Sequence, residues 1–292
     1  MEGREERAMA DEAKVTVPMV RSRKGGQKLT MVTAYDYPSA RIADDAGVDM
    51  ILVGDSVANV VHGHDSTLAM DIDTMVLHAA AVHRAHPRAL VIVDMPWLSY
   101  HVSVEDTIAQ AGRLVREGGA EAVKLEGGRK RLSMVQALVD TEIPVMGHIG
   151  LTPQSVHAMG GYKVQGRLIE DARTLISDAK ALEGAGVFSL VLEGVPDLVA
   201  DIITKEVSIP TIGIGAGGGT DGQVLVFHDV LGLSYGRRAK FVRNFAQLGD
   251  AAVAALTAFK SAVESGDFPN DDETYRLSDE VAEALLKEPA SG

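Results

Sequence analysis

The chain has 292 residues, 46% of them hydrophobic, with no cysteine and a formal net charge of −13. An acidic surface repels phosphate backbones, which argues against a nucleic-acid partner, and the lack of cysteine excludes disulfides, thiolate metal ligands and cysteine nucleophiles. No apolar run approaches the roughly 20 residues of a membrane span, so we expect a cytoplasmic protein without a membrane partner. Residues 1–16 are polar and of mixed charge, and we expect them to form a flexible tail.

Seven short apolar runs alternate with longer amphipathic stretches along the rest of the chain. The runs are rich in Val and Ile, which is typical of strands buried on both faces. The predicted strands are Leu29–Tyr35, Met50–Gly54, Ala89–Met95, Ala122–Leu125, Pro144–Ile149, Ser189–Leu192 and Thr211–Ile214. The predicted helices are Pro38–Ala46, Asp73–Ala85, Val104–Glu117, Lys130–Thr141, Ile169–Gly184, Asp197–Glu206 and Asn244–Ser265. Capping residues such as Ser103 support the predicted helix starts.

This alternation predicts parallel strands joined by helical crossovers. With an eighth strand placed at Val230–Leu233, the spacing favours a closed (β/α)8 TIM barrel. An open doubly wound sheet is the alternative, but such a sheet gathers its ligand at one switch point, whereas candidate chemical residues follow several strands here. We therefore predict a single-domain barrel over residues 17–265 and a C-terminal helical extension over residues 266–292.

Four acidic residues stand at or just after the ends of predicted strands. They are Asp55, Asp94, Glu126 and Glu193. The carboxyl ends of barrel strands share one face, so these side chains should meet there. Carboxylates so close together repel unless a cation lies among them, and hard oxygen ligands suit Mg²⁺ best. Each acid could instead cap the next helix, which is the commoner role of one such residue, but four matching positions favour a metal site.

Two basic residues accompany these acids. Lys124 precedes Glu126 by two positions, so both side chains point the same way from a strand. An inward Lys beside acids is costly unless paired, so it either neutralises them or holds an anionic substrate, and a Schiff-base role stays open in principle. His148, in Gly147-His148-Ile149-Gly150, is equally compatible with a proton carrier, a metal ligand and a structural residue. We keep it as a supporting residue of the site.

Two loops and several histidines carry weaker signals. Leu151–Arg167 is long for a connection in a compact domain, which is typical of a lid or a binding loop. Gly213–Gly219 follows a strand but lacks the Lys-Ser/Thr of a P-loop and the GxGxxG spacing, so a tight turn is favoured over a phosphate cradle. His62 and His64 form a weak metal motif without an evident further ligand, and His78 is expected at the surface.

Taken together, these motifs resemble one enzyme family, ketopantoate hydroxymethyltransferase (3-methyl-2-oxobutanoate hydroxymethyltransferase). The matching stretches occur in the family's order and cover roughly Val17 to Tyr275. They are Thr33–Tyr37, Leu52–Ser56, Asp94–Trp97, Val123–Gly127, Gly147–Gln154, Gly161–Arg167, Leu192–Glu193, Ile212–Gly217 and Asp221–Val226. The chain departs from the family at Trp97, where phenylalanine is usual, in Val57–His64 and in the glycines after Gly217, which leaves the cosubstrate contacts open.

The resemblance implies a (β/α)8 barrel that assembles as a homodecamer and binds Mg²⁺. The Mg²⁺ ligands that it implies are Asp55, Asp94 and Glu126, with a bridging water molecule open for Glu126. The ketoacid contacts that it implies are Asp55, Ser56, Asp94 and Lys124. Glu193 matches the family's proton acceptor.

The implied reaction is hydroxymethyl transfer from 5,10-methylenetetrahydrofolate to 3-methyl-2-oxobutanoate. Its product, 2-dehydropantoate, serves pantothenate and coenzyme A synthesis. The alternative function is another Mg²⁺-dependent 2-oxoacid lyase or mutase, of the isocitrate lyase and phosphoenolpyruvate mutase type. Those enzymes commonly use a cysteine in a lid, and this chain contains no cysteine.

Overall fold

Eight parallel strands close into one barrel in the computed structural model, which describes residues 13–236 and 238–287. Each strand pairs with the next in sequence, and β8 pairs with β1. The strands are β1 (Leu29–Thr33), β2 (Met50–Val53), β3 (Leu90–Asp94), β4 (Ala122–Glu126), β5 (Val145–Gly150), β6 (Ser189–Glu193), β7 (Thr211–Ile214) and β8 (Gly222–Leu225). The predicted (β/α)8 barrel is therefore confirmed, and the doubly wound sheet is excluded.

One helix precedes β1, and the others lie between the strands or after the last strand. They are α1 (Val17–Ser22), α2 (Tyr37–Asp45), α3 (Val57–Val60), α4 (Ile72–His83), α5 (Val104–Arg116), α6 (Leu132–Asp140), α7 (Val156–Met159), α8 (Ile169–Gly184), α9 (Asp197–Glu206), α10 (Phe227–Leu231), α11 (Leu248–Ser265) and α12 (Asp279–Lys287). Ser103 caps α5 as predicted, since its side chain accepts a hydrogen bond from the Asp106 amide at 3.1 Å. Among the described residues, no helix is long and apolar enough to cross a membrane.

The predicted position of the eighth strand is wrong. Val230 and Leu231 belong to α10, which ends at Gly232 in a left-handed conformation with φ 69°. The true strand, β8, follows β7 after residues 215–221, all of which are described and none of which is helical. The prediction expected a helix before each strand, and β8 lacks an apolar run because Gly222 must be small. A Cβ at Gly222 would lie 2.6 Å from the carbonyl oxygen of Leu29 on β1.

The residues before β1 close the amino-terminal end of the barrel, and we call residues 14–28 the floor segment. Val20 of α1 is fully buried against the apolar side chains that fill the barrel interior. Lys14 Nζ lies 2.7 Å from a carboxylate oxygen of Glu121, directly before β4. Lys24 Nζ lies 3.0 Å from Asp221, directly before β8. The floor segment is thus tied to opposite sides of the barrel.

The predicted N-terminal tail, residues 1–16, lies mostly outside the described residues. Val15 is nevertheless buried, and its amide donates a 2.8 Å hydrogen bond to the Arg88 carbonyl. Among the described residues, packing against the barrel therefore extends back to Lys14, three residues before the predicted start of the barrel at residue 17. The apolar Val15 side chain is the reason, because it joins the core cluster inside the barrel.

Two helices follow the barrel strands. Helix α11 lies within the range predicted for the barrel, 17–265, and helix α12 lies within the predicted C-terminal extension, 266–292. Helix α11 has no buried residue although the whole of it is described. Leu256 and Phe259 on this helix are 67% and 54% exposed. Helix α12 follows with a further exposed leucine pair, Leu285 and Leu286.

Candidate active site

The carboxyl ends of the strands open into a cavity of about 520 Å³, the barrel mouth. Its lining includes all seven residues predicted for the site. They are Asp55, Ser56, Asp94, Lys124, Glu126, His148 and Glu193. The fold accounts for this convergence, since parallel barrel strands all end at one face.

Strand register decides which of these side chains are neighbours. The pairing of β3 with β4 sets Asp94 beside Lys124, and the pairing of β4 with β5 sets Glu126 beside His148. Glu193, the last residue of β6, pairs with Gly150 of β5. Because these residues belong to strands, their backbones are held by the ladder on both sides.

Asp94 and Lys124 form a buried ion pair in the mouth. Lys124 Nζ lies 2.8 Å from Asp94 Oδ1, and both side chains are about 5% exposed or less. The other oxygen, Oδ2, accepts a 3.0 Å hydrogen bond from the Asp55 amide. The Asp94 Oδ1 contact is poorly directed, so this buried oxygen has no well-oriented hydrogen bond. It therefore retains a lone pair that faces the site.

Gln154, which the sequence reasoning did not assign a role, joins the two halves of the acidic cluster. Its side-chain amide donates to Asp55 Oδ2 at 2.8 Å, and its backbone amide donates to Glu126 Oε2 at 3.0 Å. The Tyr100 hydroxyl donates to the Gln154 amide oxygen and so fixes the amide orientation. Gln154 lies just after β5, in the loop that was predicted to be a lid or a binding loop. This position is the sequence signal that could have marked Gln154 as a site residue.

His148, on β5, lies between two carboxylates of the neighbouring strands β4 and β6. Its Nδ1 lies 3.5 Å from Glu126 Oε1, and its Nε2 lies 3.3 Å from Glu193 Oε2. Lys124 Nζ is also 3.2 Å from Nδ1, which accepts from the ammonium when the imidazole is neutral. In the protonated imidazole, Nδ1–H faces Glu126 instead. Burial and Lys124 lower the pKa of His148, yet the two carboxylates outweigh them and raise it to about 9. The imidazole is therefore charged at neutral pH.

The remaining carboxylates differ in electrostatic environment. Burial, together with the charges of Asp94 and Glu126, raises the pKa of Asp55 well above its ordinary value. Burial also raises the pKa of Asp94, although Lys124 opposes the change. Burial would raise the pKa of Glu126 too, but His148, Lys124 and the Gln154 amide outweigh it and lower that pKa. The negative charges of Asp55 and Asp94 are thus not fully balanced by the positive groups around them.

A cation at this place fits the donor chemistry. Asp55 and Asp94 offer hard oxygen atoms, one of them without a directed hydrogen bond, and both lie in a cluster where negative charge is under-compensated. In the described part of the chain, no three Asp, Glu or His side chains are already placed to hold an ion together. Glu126 is instead engaged by Gln154 and His148. The arrangement suits a cation bound directly by Asp55 and Asp94, with Glu126 nearby but not in direct contact with the cation.

Aromatic residues without a predicted role surround the mouth. The Tyr35 hydroxyl lies 2.8 Å from Ser56 Oγ, so Ser56 is held in place at the edge of the site. Tyr162, from the loop 151–167, lines the cavity, as do Tyr235 and Phe241 from the segment after α10. No pattern in the sequence distinguishes these aromatic residues from ordinary loop residues.

The glycine-rich loop after β7 packs closely against its neighbours. Gly215 has a positive φ of 62°, and a Cβ there would lie 2.6 Å from the Phe241 ring. Gly217 also has a positive φ, and its carbonyl accepts a hydrogen bond from the Gln223 side chain. A Cβ at Gly217 would lie 2.6 Å from Asp197, so both Gly215 and Gly217 are required by the backbone conformation and the close packing of this loop.

Solved structures with the same fold share little sequence with this chain. The crystal structure of 2,3-dimethylmalate lyase, a PEP mutase/isocitrate lyase superfamily member, has a TM-score of 0.56 and 18% identity, covering 93% of this chain and 94% of that one. Phosphonopyruvate hydrolase has a TM-score of 0.57 and 12% identity, covering 94% and 95%. At these identities the likeness shows the fold alone.

Sequence relatives are far closer. Proteins named 3-methyl-2-oxobutanoate hydroxymethyltransferase are 51% identical in Syntrophomonas wolfei, over 94% of this chain and 99% of the relative, and 53% identical in Koribacter versatilis, over 88% and 87%. The relative of that name in Moorella thermoacetica is 52% identical over 92% of this chain and its own whole length. The family model for ketopantoate hydroxymethyltransferase matches residues 14–271. The chain therefore belongs to the ketopantoate hydroxymethyltransferase family.

Proposed function

We propose that this protein transfers a hydroxymethyl group from 5,10-methylenetetrahydrofolate to 3-methyl-2-oxobutanoate. The product is 2-dehydropantoate, which supplies pantothenate and coenzyme A synthesis in the cytoplasm. One observation supports this most directly. Glu193 is 15% exposed to the cavity, whereas the side chains of Asp94, Lys124 and Glu126 are buried to 95% or more. A carboxylate that faces the cavity beside a buried charged cluster suits a base that acts on a substrate held by that cluster.

Mg²⁺ is the proposed metal, with Asp55 and Asp94 as ligands and Glu126 as the third carboxylate, acting through a water molecule. When bound, Mg²⁺ would supply positive charge beside the keto and carboxylate oxygens of the substrate. The raised pKa values of Asp55 and Asp94 support this proposal, because both carboxylates gain stability from an added cation.

Lys124 and Ser56 are the proposed anchors of the ketoacid. The Lys124 ammonium is the buried cation nearest to the acidic pair, so it can neutralise the substrate carboxylate without solvent competition. Ser56 presents a hydroxyl that Tyr35 holds in place, 2.8 Å away. These contacts fix the substrate so that its C3 hydrogen faces Glu193.

Glu193 removes the C3 proton in the proposed mechanism. The electron pair of the broken C–H bond forms the enolate. Water adds to the one-carbon unit as both of its C–N bonds to the folate break, which releases tetrahydrofolate and leaves a carbonyl carbon at the oxidation level of formaldehyde. The enolate attacks that carbon to make the new C–C bond, and a proton converts its oxygen into the hydroxyl group of the product. His148, whose Nε2 lies 3.3 Å from Glu193 Oε2, positions that carboxylate and stabilises its charge. General-base assistance of this kind is typically worth about 10²–10⁴ in rate.

The outer part of the cavity is the proposed seat of the folate cosubstrate. Tyr162, Tyr235 and Phe241 line it and offer flat aromatic surfaces to a pterin ring. The inner part holds the charged cluster and suits the small ketoacid. This division places the one-carbon donor above the carbon that Glu193 deprotonates.

A homo-oligomer, with ten copies by family resemblance, is the proposed assembly. Helix α11 exposes Val253, Leu256, Phe259 and Val263 along its length. An exposed apolar row of this kind marks an interaction surface, since burial of apolar area drives association. We propose that a second copy of this chain covers it.

The rival function is that of a Mg²⁺-dependent 2-oxoacid lyase or mutase. The fold is shared with such enzymes at 12–18% identity, whereas relatives named hydroxymethyltransferase are 51–53% identical. The chain also lacks the lid cysteine that those enzymes commonly use. Both observations favour the transferase.

The deciding experiment incubates the purified protein with 3-methyl-2-oxobutanoate, with and without 5,10-methylenetetrahydrofolate, and with EDTA added or omitted. We expect 2-dehydropantoate only when the folate is present and EDTA is absent. Without folate, the wild type should exchange deuterium at C3 of the ketoacid, and Glu193→Gln should bind the ketoacid but lose this exchange. Cleavage of the ketoacid without folate would support the lyase, and wild-type exchange by Glu193→Gln would overturn the assignment of the base.

A further inference from the structure

Three histidines lie close together between the segment after α3 and helix α4. His62 and His64 follow α3, and His78 lies on α4. The Nε2 atoms of His62 and His78 are 2.9 Å apart, with the rings nearly perpendicular at 84°. His64 stacks on His62, with ring centroids 6.1 Å apart. None of the three lines the barrel mouth.

The ring of His78 is oriented as metal-binding histidines are. Its Nδ1 lies 2.7 Å from the carbonyl oxygen of Tyr35, and a carbonyl can only accept. Nδ1 therefore carries the proton, and Nε2 presents a lone pair toward His62. A backbone carbonyl that holds one ring nitrogen of a histidine, while the other nitrogen binds the ion, is the usual outer contact of a metal site.

His62 can present a second lone pair at the same point. A shift of its proton from Nε2 to Nδ1 leaves both Nε2 atoms facing one another, and no proton need leave the protein. Burial, His78 and His64 lower the pKa of His62, so the ring is neutral and available as a ligand at neutral pH. His62 is exposed, so an ion reaches it directly from solvent.

We propose that His62 and His78 form a second metal site, which takes a borderline divalent ion of the Zn²⁺ or Cu²⁺ class. Imidazole nitrogen atoms suit these ions, whereas Mg²⁺ prefers the oxygen atoms at the mouth. No trio of Asp, Glu or His among the described residues is placed around an ion, so water completes the coordination. A bound ion would connect the segment after α3 to helix α4. The hydrogen bond from His78 to the Tyr35 carbonyl oxygen would extend this connection to the residues just after β1.

The test titrates the full-length, EDTA-treated and desalted protein with Zn²⁺ by calorimetry in excess Mg²⁺, which occupies the oxygen sites. We expect one Zn²⁺ per chain in the wild type, and affinity weaker by about tenfold or more in both His62→Gln and His78→Gln. His157→Gln is the matched control, because His157 is an exposed histidine without a described histidine partner, and it should bind as the wild type does.

Cu²⁺ supplies a second readout that does not depend on heat. Its electron paramagnetic resonance spectrum should show coupling to imidazole nitrogen atoms in the wild type and in His157→Gln, and lose that coupling in His62→Gln. Since His62 is exposed, this variant should fold and melt as the wild type does. Zn²⁺ affinity and Cu²⁺ spectra that are unchanged in His62→Gln would overturn the proposal, as would a wild type that binds no Zn²⁺.

Discussion

Single residues in the mouth hold charge in an environment that excludes water. Lys124 is the clearest case, since its ammonium is 5% exposed and lies 2.8 Å from Asp94 Oδ1. Removal of one member of a buried ion pair leaves the other charge uncompensated, which costs about 3–5 kcal/mol. The stability of the site therefore depends on the pairing of these groups.

We expect Lys124→Met to lower the free energy of unfolding by about 3 kcal/mol. In an Asp94→Asn background the same substitution should cost about 1–3 kcal/mol less, because no carboxylate is left without its partner. Urea denaturation of the four proteins in EDTA measures this double-mutant cycle. An equal cost of Lys124→Met in both backgrounds would show that the ion pair does not stabilise the fold.

His148 predicts a pH dependence whose sign can be worked out. Its pKa is about 9 in the folded chain against an ordinary 6.5. The folded state therefore binds the proton more tightly, and the stabilisation is complete below about pH 6.5 and lost as the pH rises through about 9.

Relative to His148→Gln, the wild type should lose roughly 3 kcal/mol of stability across that range, since one pKa unit corresponds to about 1.4 kcal/mol. The measurement is urea unfolding of both proteins at several pH values in EDTA. A difference between them that stays constant with pH would contradict a charged His148.

The sequence revealed the charged residues of the site but not the groups that orient them. Asp55, Asp94 and Glu126 were identifiable because acids at strand ends are unusual and repeat at matching positions. Gln154 and Tyr100 were not, because a neutral amide or a tyrosine in a loop carries no periodic signal. Their roles become visible only in the structure, where the loops that carry them lie against the acidic cluster.

At the scale of elements, the β5–β6 pair carries the proposed base. Gly150 at the end of β5 has φ +97°, and a Cβ there would lie 2.2 Å from the carbonyl oxygen of Glu193. The same carbonyl accepts a 2.7 Å hydrogen bond from the Leu151 amide. A side chain at Gly150 would therefore move the backbone of Glu193.

We expect Gly150→Ala to lower kcat by about 10²-fold, the effect of a misplacement of roughly 1 Å. The control is Gly47→Ala, at φ +76° with nothing within 4 Å of the added Cβ. It shares the backbone strain, about 1–3 kcal/mol, but is distant in sequence from the site residues and should keep wild-type kcat. Steady-state kinetics and thermal melts of both variants separate the two effects, and equal kcat values would contradict the positional role of Gly150.

Most elements were predictable because their periodic patterns are strong. Seven strands and the main helices follow from apolar runs and caps such as Ser103. The eighth strand was not predictable in the same way, since Gly222–Leu225 contains a glycine and an exposed glutamine and follows β7 without a helix. Close approach of β1 demands the glycine, and barrel closure overrides local preference.

At the scale of the whole molecule, α11 exposes more apolar surface than a monomer usually keeps. Its row of Val253, Leu256, Phe259 and Val263 lies on one side of the helix, by their spacing of three or four residues. Lys260 and Glu264 pair beside this row. Phe259 contacts the ring of Phe268, with the ring centroids 5.5 Å apart, and within the described part of the chain the row otherwise stays exposed.

Leu256→Arg should therefore shift the assembly toward smaller species, because it sets a charge in a desolvated contact. Analytical ultracentrifugation at several concentrations gives the distribution. Ser261→Arg, on the opposite side of α11 by helical spacing, is the matched control and should sediment as the wild type does. A wild type that is monomeric at all concentrations would contradict the proposed role of α11.

The floor segment has a practical consequence for attachment of the protein to a surface. Lys14 and Lys24 anchor the segment at opposite sides of the closed end, while the mouth opens at the other end of the strands. A linker joined ahead of Lys14 therefore leaves the barrel from the face remote from substrate entry. Immobilisation through that end orients the mouth toward solvent, and it leaves C-terminal helix α11 clear of the support.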